Sequence, residues 1–376
     1  MQTSNKSPYD VLIVGAGING CCSAWFLNRA GLRVALIDRS GIACDGSGAA
    51  GAFISPKFSK SGPLKEIVAA AHVEALDFYS RYFPRHTLLR PLLHIANSES
   101  ESEKLAAYKR TTDLAYRDVP ASLRAMILPE ALENEAIYLE RGAVVDAQEV
   151  CHAMAEGIDF HCFDARDPVY REGMWHVGGL RGKHMILSTG AYPKILGGDS
   201  IRLRGIWGHR IDVQTDTELS SILHHHVSIS PTSASGTVAI GATHDVHFDP
   251  FAEVAYDVDS GRAALLAKAA RTLQLENVRI LRDYTGLRSG THDYYPIAGG
   301  LVDEAASTGE GSGGKTNGPR CVFYPNAWMI NGSGGYGFVL APYLARRISE
   351  RIVSGKELDP ALSPERFFLR RWKRQS

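Results

Sequence analysis

The sequence predicts an α/β fold in which a nucleotide-binding domain on a mostly parallel sheet is joined to a second domain on an antiparallel sheet. Near the start, an apolar run to Val14 precedes a glycine-rich turn, a helical stretch and a second apolar run to Asp38. This is the order of a βαβ unit. Between Trp207 and Phe248, apolar and polar residues alternate, as in antiparallel strands. At 376 residues the chain is long enough for both domains.

The first turn carries glycines in G-x-G-x-x-G spacing, at Gly15, Gly17 and Gly20. The first allows a tight turn, the second lets backbone approach a pyrophosphate, and the third lets helix and strand pack closely. Asp38 ends the second strand, where a carboxylate can accept hydrogen bonds from a ribose hydroxyl. We predict a dinucleotide site here that includes the adjacent Arg39; the motif alone leaves both FAD and NAD open.

Periodicity and turn residues predict the following elements. Residues from Glu101 to Glu135 predict helices broken at Pro120 and Pro129, in an excursion into the second domain. We predict helices over 64–83, 147–156 and 257–275, strands over 91–98, 143–145 and 160–163, and a last strand in AWMING followed by a helix.

Two segments rich in small residues suit a close approach of backbone to a ligand. One runs from Asp45 to Ala52, and the other, Thr189 to Ala191, ends the buried strand in KHMILSTGAYP. The glycine cluster after the last strand opens a helix, so its free backbone amides also point at a ligand.

Composition excludes some classes of function. Basic and acidic residues both number 41, which argues against a general polyanion-binding surface but leaves local basic patches open. The six cysteines form no C-x-x-C pair and no metal-ligand spacing, so we expect reduced core thiols, no metal and a cytoplasmic location. The polar N-terminus and the lack of a long apolar run predict no secretory signal and no membrane partner.

Five segments stand in the order typical of one family: the first glycine motif, GSGAAG, STGAY, GLR with YPIAG, and NGSGGYG. On these segments the chain resembles the D-amino-acid-oxidase-like flavoproteins over essentially its whole length. GLRSGTHDYYPIAG and the ending ELDPALSPERFFLRRWKR are similar to the oxidase half of bifunctional enzymes that make 5-methylaminomethyl-2-thiouridine in tRNA. The length leaves no room for their methyltransferase half, so we expect a stand-alone oxidase.

The resemblance implies FAD lying across the parallel sheet, with the flavin at the boundary to the antiparallel domain. It implies an FAD-binding domain over 1–85, 140–205 and 285–376, and a substrate-binding domain over 86–139 and 206–284. The glycine turn would take the pyrophosphate and Asp38 the ribose. The other implied cofactor contacts are Ser47, Gly48, Ala50 and Gly51 beside the diphosphate and flavin, Thr189, Gly190 and Ala191 over the cofactor, and Gly334, Gly335, Tyr336, Gly337 and Phe338 at the flavin pyrimidine ring.

Two residues are implied in substrate binding. Arg288, in GLRSG, matches the family arginine that pairs with a substrate carboxylate, a role that suits a guanidinium fork; the alternative is an ion pair with an acid such as Asp293. His244 ends a strand that would face the flavin and could orient the amine or carboxylate; the alternative is a structural histidine. We expect structural roles for His224–His226, at a strand edge or turn, and for Cys321.

The implied chemistry is hydride transfer to flavin N5 from a carbon next to an amine, followed by hydrolysis of the imine, with oxygen as electron acceptor. One function is oxidation of carboxymethylaminomethyl-uridine at the tRNA wobble position to aminomethyl-uridine and glyoxylate. Another is oxidation of a small amine or amino acid such as glycine, sarcosine or a D-amino acid. The third is a flavoprotein without turnover.

The last segment is the feature that favours the tRNA function, whereas the neutral overall charge argues against it. Five cations interleave with three aromatic residues in RFFLRRWKRQS, a composition that can grip a phosphate backbone and stack bases. The alternative is a segment that docks its aromatic residues on the core and leaves its charges in water. The candidate tRNA contacts are Arg366, Arg370, Arg371, Lys373 and Arg374.

Overall fold

A computed structural model describes residues 7–58, 62–192, 196, 200–307 and 319–375. Most of the polar N-terminal segment lies outside these residues. The helices are α1 (Ile18–Arg29), α2 (Pro63–Tyr82), α3 (Glu99–Lys109), α4 (Ala121–Arg124), α5 (Ala147–Ala155), α6 (Val258–Ala269), α7 (Gly337–Ser354) and α8 (Glu365–Gln375). The strands are β1 (Tyr9–Val14), β2 (Val34–Asp38), β3 (Phe53–Ile54), β4 (Thr87–Ile95), β5 (Tyr116–Arg117), β6 (Ala136–Val145), β7 (Asp159–Cys162), β8 (Val169–Arg171), β9 (Met174–Val177), β10 (Leu180–Leu187), β11 (Leu203–Gln214), β12 (Ile222–His224), β13 (Ser228–Ile229), β14 (Thr237–Gly241), β15 (Arg279–Thr291), β16 (Ile297–Val302) and β17 (Phe323–Asn331).

The first sheet is mostly parallel. Its order is β16-β17-β10-β1-β2-β7, with parallel pairing from β17 to β7 and antiparallel additions of β16, β9 and β8. Helices α1, α5 and α7 pack together over it. Both faces of β1 are covered, so it reads YDVLIV rather than alternating, as expected of a buried parallel strand. The predicted βαβ unit is present as β1, α1 and β2.

The second sheet is mostly antiparallel, in the order β15-β11-β14-β13-β12-β4-β6-β3 with β5 paired to β6. Its one parallel pair joins β12 to β4. Alternate side chains of β11 and β14, such as Ile211 and Ile240, are buried in a core that includes Leu265 of α6. The mixed α/β fold with these two kinds of sheet confirms the predicted fold class.

Several predicted elements differ at their ends. The predicted strand over 91–98 is β4, which begins at Thr87 and passes through Pro91 because the pairing register with β6 shifts between Arg90 and Leu92. A proline lacks the amide that ladder pairing needs, and a bulge tolerates this. The predicted helix over 257–275 ends at Ala269. His224 is the last residue of β12, and His225 and His226 lie in the bend before β13, in agreement with the predicted strand edge or turn.

The structure also bears on the expectations for the cysteines and for membrane-spanning segments. Cys21, Cys22 and Cys151 are buried thiols, but Cys44 and Cys162 are exposed, so the expectation of core thiols is wrong for these two. Across the described ranges, no helix combines the length and apolar character needed to cross a bilayer.

Candidate functional site

A cavity of about 800 Å³ lies where the carboxyl ends of the parallel strands meet the second sheet. Its lining includes Asp38 at the end of β2, Ser188 just after β10 and Asn331 at the end of β17. Ligands of open parallel sheets bind outside these carboxyl ends. Arg288 of β15 lines the cavity from the second sheet.

The turn after β1 has no room for side chains. Gly15 has φ +103°, and a Cβ there would lie 2.3 Å from the carbonyl oxygen of Ser188. A Cβ on Gly20 would lie 1.8 Å from the carbonyl oxygen of Gly15. The turn and helix α1 therefore pack directly against each other and against the backbone after β10.

The N-terminus of α1 faces the cavity. Gly17 is its N-cap and supplies no side-chain cap, while the hydroxyl of Ser47 accepts a hydrogen bond from the Ile18 amide at 2.9 Å. Asn19 also lines the cavity, and its buried Oδ1 has no hydrogen-bond partner among the described residues. Exposed amides and the helix dipole make this end suited to phosphate groups.

The adenosine end, as implied by the glycine motif, is built around Asp38. Its Oδ2 accepts from the Ala16 amide at 2.8 Å and its Oδ1 from the Ser40 amide at 2.8 Å, so the carboxylate also closes the turn. The guanidinium of Arg39 stands 3.9 Å from the centroid of the Tyr192 ring. The Tyr192 hydroxyl donates to Asp45, and burial together with that carboxylate raises the pKa of Tyr192.

Three of the predicted cofactor residues are absent from the lining of this cavity: Gly20, Gly48 and Ala191. Gly20 and Gly48 pack on neighbouring backbone instead, since a Cβ on Gly48 would lie 1.9 Å from the carbonyl oxygen of Ala43. The predicted cofactor residues that line it are Gly15, Gly17, Asp38, Arg39, Ser47, Ala50, Gly51, Thr189, Gly190, Gly334, Gly335, Tyr336, Gly337 and Phe338.

The glycine cluster after β17 forms a short 3-10 turn, Gly334–Tyr336, that leads into α7. No side chain caps this helix start, so its first amides face the cavity with the positive end of the helix dipole. Burial raises the pKa of Tyr336 to about 12. The arrangement favours a ligand group that is or becomes negatively charged.

Arg288 is a partly buried cation that forms no ion pair with a carboxylate among the described residues. One of its terminal nitrogens donates to the carbonyl of Thr243, and its Nε has no hydrogen-bond partner in the described part of the chain. Asp293, the expected alternative partner, instead contacts Arg366 at 3.0 Å and Arg370 at 2.5 Å. Burial lowers the pKa of Arg288, the direction expected for an unneutralised guanidinium.

Glycines make space for this cation. The Arg288 guanidinium lies over the backbone of Gly208 on β11, where a Cβ would stand 2.8 Å from Nη2. Gly286, two residues earlier on β15, approaches Gly46, where a Cβ would stand 2.8 Å from the Gly46 Cα. The second sheet therefore touches the segment of small residues without intervening side chains.

His244 is exposed and does not line the cavity. Its pKa is lowered by partial burial and then by the charges of Arg288 and Arg204. The structure thus places His244 next to the positive charge of Arg288, outside the cavity wall.

Asn331 is a site residue that sequence reasoning missed, although it begins the NGSGGYG segment. Its Nδ2 donates to the carbonyl of Gly190 at 3.0 Å, and its Oδ1 accepts from the Ser289 hydroxyl at 2.6 Å. One amide therefore joins β17, the turn after β10 and β15 at the boundary between the two sheets.

Aromatic rings and buried histidines form the remaining wall. Phe58 stacks on His94 with ring centroids 4.1 Å apart, and His224 lies in register beside His94 on β12. Burial lowers the pKa of His94 to about 3 and that of His224 to about 4. Both imidazoles are neutral at pH 7 and belong to the wall.

The C-terminal segment forms α8 and docks on the protein. Phe367 and Phe368 are buried. Arg366 and Arg370 both bind Asp293, and Arg371 binds Glu304 at 3.0 Å. Three of the five cations predicted to grip RNA are therefore engaged in holding the helix, while Lys373 and Arg374 are exposed.

A glycine turn at the carboxyl ends of parallel strands, continued to a buried arginine on an antiparallel sheet, defines a dinucleotide-dependent oxidoreductase of two-sheet architecture. The chain belongs to the DAO family, described as FAD dependent oxidoreductase, whose sequence model matches residues 10–351. This confirms FAD as the cofactor and the predicted class of enzyme. The glycine turn, the uncapped α1 and the cavity fit such a cofactor.

Two kinds of relative have similar sequences. The thiamine biosynthesis oxidoreductase ThiO of Rhizobium etli is 26% identical over 92% of this chain and 96% of its own length. The tRNA 5-methylaminomethyl-2-thiouridine biosynthesis bifunctional protein MnmC of Maricaulis maris is 24% identical over 97% of this chain. The chain spans 56% of the length of that bifunctional protein.

Solved structures with the same fold include glycine oxidase from Geobacillus kaustophilus, with TM-score 0.72 and 19% identity over 95% of this chain and 98% of that one. L-proline dehydrogenase from P. horikoshii has TM-score 0.74 and 15% identity over 96% and 98% of the two chains. At these identities the likeness shows the fold alone.

Proposed function

We propose that this protein oxidises a secondary amine that carries a carboxymethyl group. The observation that carries the proposal is Arg288, a cation in the cavity wall with an unpartnered Nε and no carboxylate within ion-pair distance among the described residues. A buried guanidinium is stabilised by an anion, and a carboxylate matches its fork. Asp293, the nearby candidate, is engaged by α8.

Bound FAD supplies the acceptor for a hydride from the carbon next to the amine, and water converts the resulting substrate imine to a shorter amine and glyoxylate. The chain's own task is positioning. Arg288 holds the carboxylate, and the start of α7, which no side chain caps, adds positive potential beside it, since a Cβ on Gly335 would lie 4.0 Å from Arg288 Nη1. Around Arg288 the wall is built from groups without acid or base function, such as Gly208, Ala242 and Leu287, so orientation contributes most of the rate.

The substrate that we favour is carboxymethylaminomethyl-uridine at the wobble position of tRNA, with aminomethyl-uridine as product and oxygen as electron acceptor. The bifunctional tRNA-modifying relative aligns with 97% of this chain, and the GLRSGTHDYYPIAG and C-terminal segments support the same choice. The cavity residues Gly15, Asp38, Ser47, Thr189 and Tyr336 would hold FAD, and His244 would act only through its closeness to Arg288.

A small amino acid is the second candidate, and a specific observation favours it. The ThiO relative aligns with 96% of its own length, and glycine oxidase has the same fold over 95% of this chain. Both candidates present a carboxylate beside an amine, so Arg288 serves either one.

The test is anaerobic mixing of the purified yellow holoenzyme with four compounds: tRNA bearing carboxymethylaminomethyl-uridine, the free nucleoside, glycine and sarcosine. Bleaching of the flavin absorbance reports reduction. We expect the tRNA to reduce the flavin fastest, with the nucleoside next. Reduction by glycine or sarcosine alone supports the small-molecule function instead, and no reduction by any of them contradicts both.

A further inference from the structure

The turn after β15 displays an aromatic ring close to residues that line the cavity. Strand β15 places Arg288 and Ser289 in the cavity wall and ends at Thr291. Tyr294 follows in the turn, and 68% of its surface is exposed. This exposed ring lies a few residues beyond the substrate arginine, so it can contact the part of a substrate that extends out of the cavity.

The backbone at Tyr294 is costly for this side chain. Tyr294 has φ +65°, a left-handed conformation that glycine adopts readily and a bulky residue adopts at a penalty. Its amide donates to the carbonyl of Thr291 at 3.3 Å. Strained positions are retained where the surroundings enforce them, so contacts from neighbouring elements must hold this turn.

The C-terminal helix α8 holds it. Asp293 accepts from the Tyr295 amide at 3.2 Å and is bound by Arg366 at 3.0 Å. Arg366 also donates to the carbonyl of Tyr295 at 2.8 Å. The side chains of Arg366 and Asp293 are each only 13% exposed, so a largely buried ion pair holds the backbone on both sides of Tyr294.

Two cations lie near the ring, Arg204 and Lys57, and neither forms an ion pair with a carboxylate in the described part of the chain. Arg204 lies with its Cζ 5.0 Å from the centroid of Tyr294, and its buried Nε lacks a hydrogen-bond partner within the described ranges. Lys57 Nζ stands 5.3 Å from the ring centroid of Tyr336, which lines the cavity. Burial lowers the pKa of Lys57, and the neighbouring Tyr294 partly offsets that effect.

Four residues lead from the cavity to the surface, and we call them the ledge: Tyr336, Lys57, Tyr294 and Arg204. The whole chain carries no net charge, so the positive charge of the ledge is a local feature. An exposed ring flanked by cations is the combination that binds single-stranded nucleic acid, since bases stack on rings and phosphates bind cations. A free amino acid held at Arg288 has no group that reaches it.

We propose that Tyr294 stacks a nucleobase next to the oxidised uridine while Arg204 and Lys57 bind the adjoining phosphates. The proposal rests on the tRNA function proposed above and gives it a location: RNA enters over the turn after β15. Helix α8 then contributes to RNA binding through Asp293 and the turn that it holds, in place of direct contacts by Arg366 and Arg370.

The test variant is Tyr294→Gly, which removes the ring and relieves the backbone, so it folds at least as well as the wild type. Tyr294→Phe retains a stacking ring. Glu172→Gly is the matched control, because Glu172 is exposed, has φ +53° and lies in the turn between β8 and β9. For each holoenzyme we would measure binding of tRNA bearing carboxymethylaminomethyl-uridine and anaerobic flavin reduction by that tRNA and by the free nucleoside.

We expect Tyr294→Gly to weaken tRNA binding about tenfold or more, the effect of losing one stacked base, with Tyr294→Phe and Glu172→Gly close to wild type. The ratio of tRNA to nucleoside reduction should fall in parallel. If tRNA reduces the wild-type flavin but Tyr294→Gly binds it equally well, the ledge is wrong and the tRNA function stands. If the wild type is reduced by glycine or sarcosine and not by tRNA, both proposals are overturned.

Discussion

The two ends of the cavity are built by different means. The end near Asp38 depends largely on backbone: the Gly15 turn and the start of α1, where the Ser47 hydroxyl accepts from the Ile18 amide. The end near Arg288 is made of side chains from separate strands, held by single contacts such as the bond from Asn331 to Gly190. A backbone site tolerates little change in sequence, whereas a side-chain site can change its ligand by exchange of a few residues.

The largest expected effect lies in the backbone end. Gly15→Ala places a Cβ 2.3 Å from the Ser188 carbonyl oxygen and requires φ +103° from a residue with a side chain. We expect loss of FAD and destabilisation by several kcal/mol, measured by urea unfolding and by flavin released on denaturation. Gly31→Ala is the control: it also has positive φ, at +86°, but meets no atom within 4 Å, so it should cost about 1 kcal/mol and retain FAD.

The second effect is acid sensitivity of the second sheet. His94 and His224 have pKa values lowered by burial to about 3 and about 4. Below pH 6.5 these two histidines therefore bind protons in the unfolded chain while they stay neutral in the folded protein. Stability should therefore fall as the pH drops from 6.5 toward 4, by up to about 3 kcal/mol per histidine.

His94→Phe, which keeps a ring against Phe58, should flatten this pH dependence in urea unfolding followed between pH 7 and 4.5. His152→Phe serves as the control, since His152 is exposed on α5. An unchanged slope in His94→Phe would mean that His94 is protonated in the folded protein.

The third effect separates the substrate end from the cofactor end. Arg288→Lys retains a charge but loses the planar fork, and we expect kcat/KM for the carboxymethylamine substrate to fall about a hundredfold, or roughly 2.7 kcal/mol, with full FAD content. Arg282→Lys is the matched control, because Arg282 is exposed on the same strand. Loss of FAD from Arg288→Lys would show that the two ends are not independent.

The smallest effect concerns α8. Lys373 and Arg374 are exposed cations near the end of α8, and changing both to glutamine should leave stability within about 0.5 kcal/mol. If they contact phosphates, the slope of log affinity for tRNA against log salt should shrink by roughly 0.7 to 0.9 per contact. Arg366→Gln is the contrasting variant, which we expect to destabilise the protein because it leaves Asp293 without its buried partner. An unchanged salt slope removes Lys373 and Arg374 from the RNA surface.

The cofactor end could be predicted because its signals are local. Strand, turn and helix follow one another within β1, Gly15 and α1, so spacing along the chain is also spacing in the fold. The prediction of fold class also rested on local signals, the order of the βαβ unit and the alternation of apolar and polar residues between Trp207 and Phe248. Gly20 and Gly48 matched the motif yet face neighbouring backbone, because a spacing rule does not separate glycines that line a ligand from glycines that let backbone pack.

The substrate end required the tertiary structure. Arg288 was found by resemblance, but only the structure shows that Asp293, its expected alternative partner, is instead bound by Arg366 of α8. The composition of RFFLRRWKR could not distinguish docked cations from free ones. That distinction depends on which acids face α8, and in the structure these are Asp293 and Glu304. By itself, therefore, the sequence determined the dinucleotide turn and the two kinds of sheet, because those follow from local periodicity and backbone geometry. The tertiary structure alone decided which charges are neutralised and which remain for a ligand, because charge pairing is a contact between segments that no local pattern specifies.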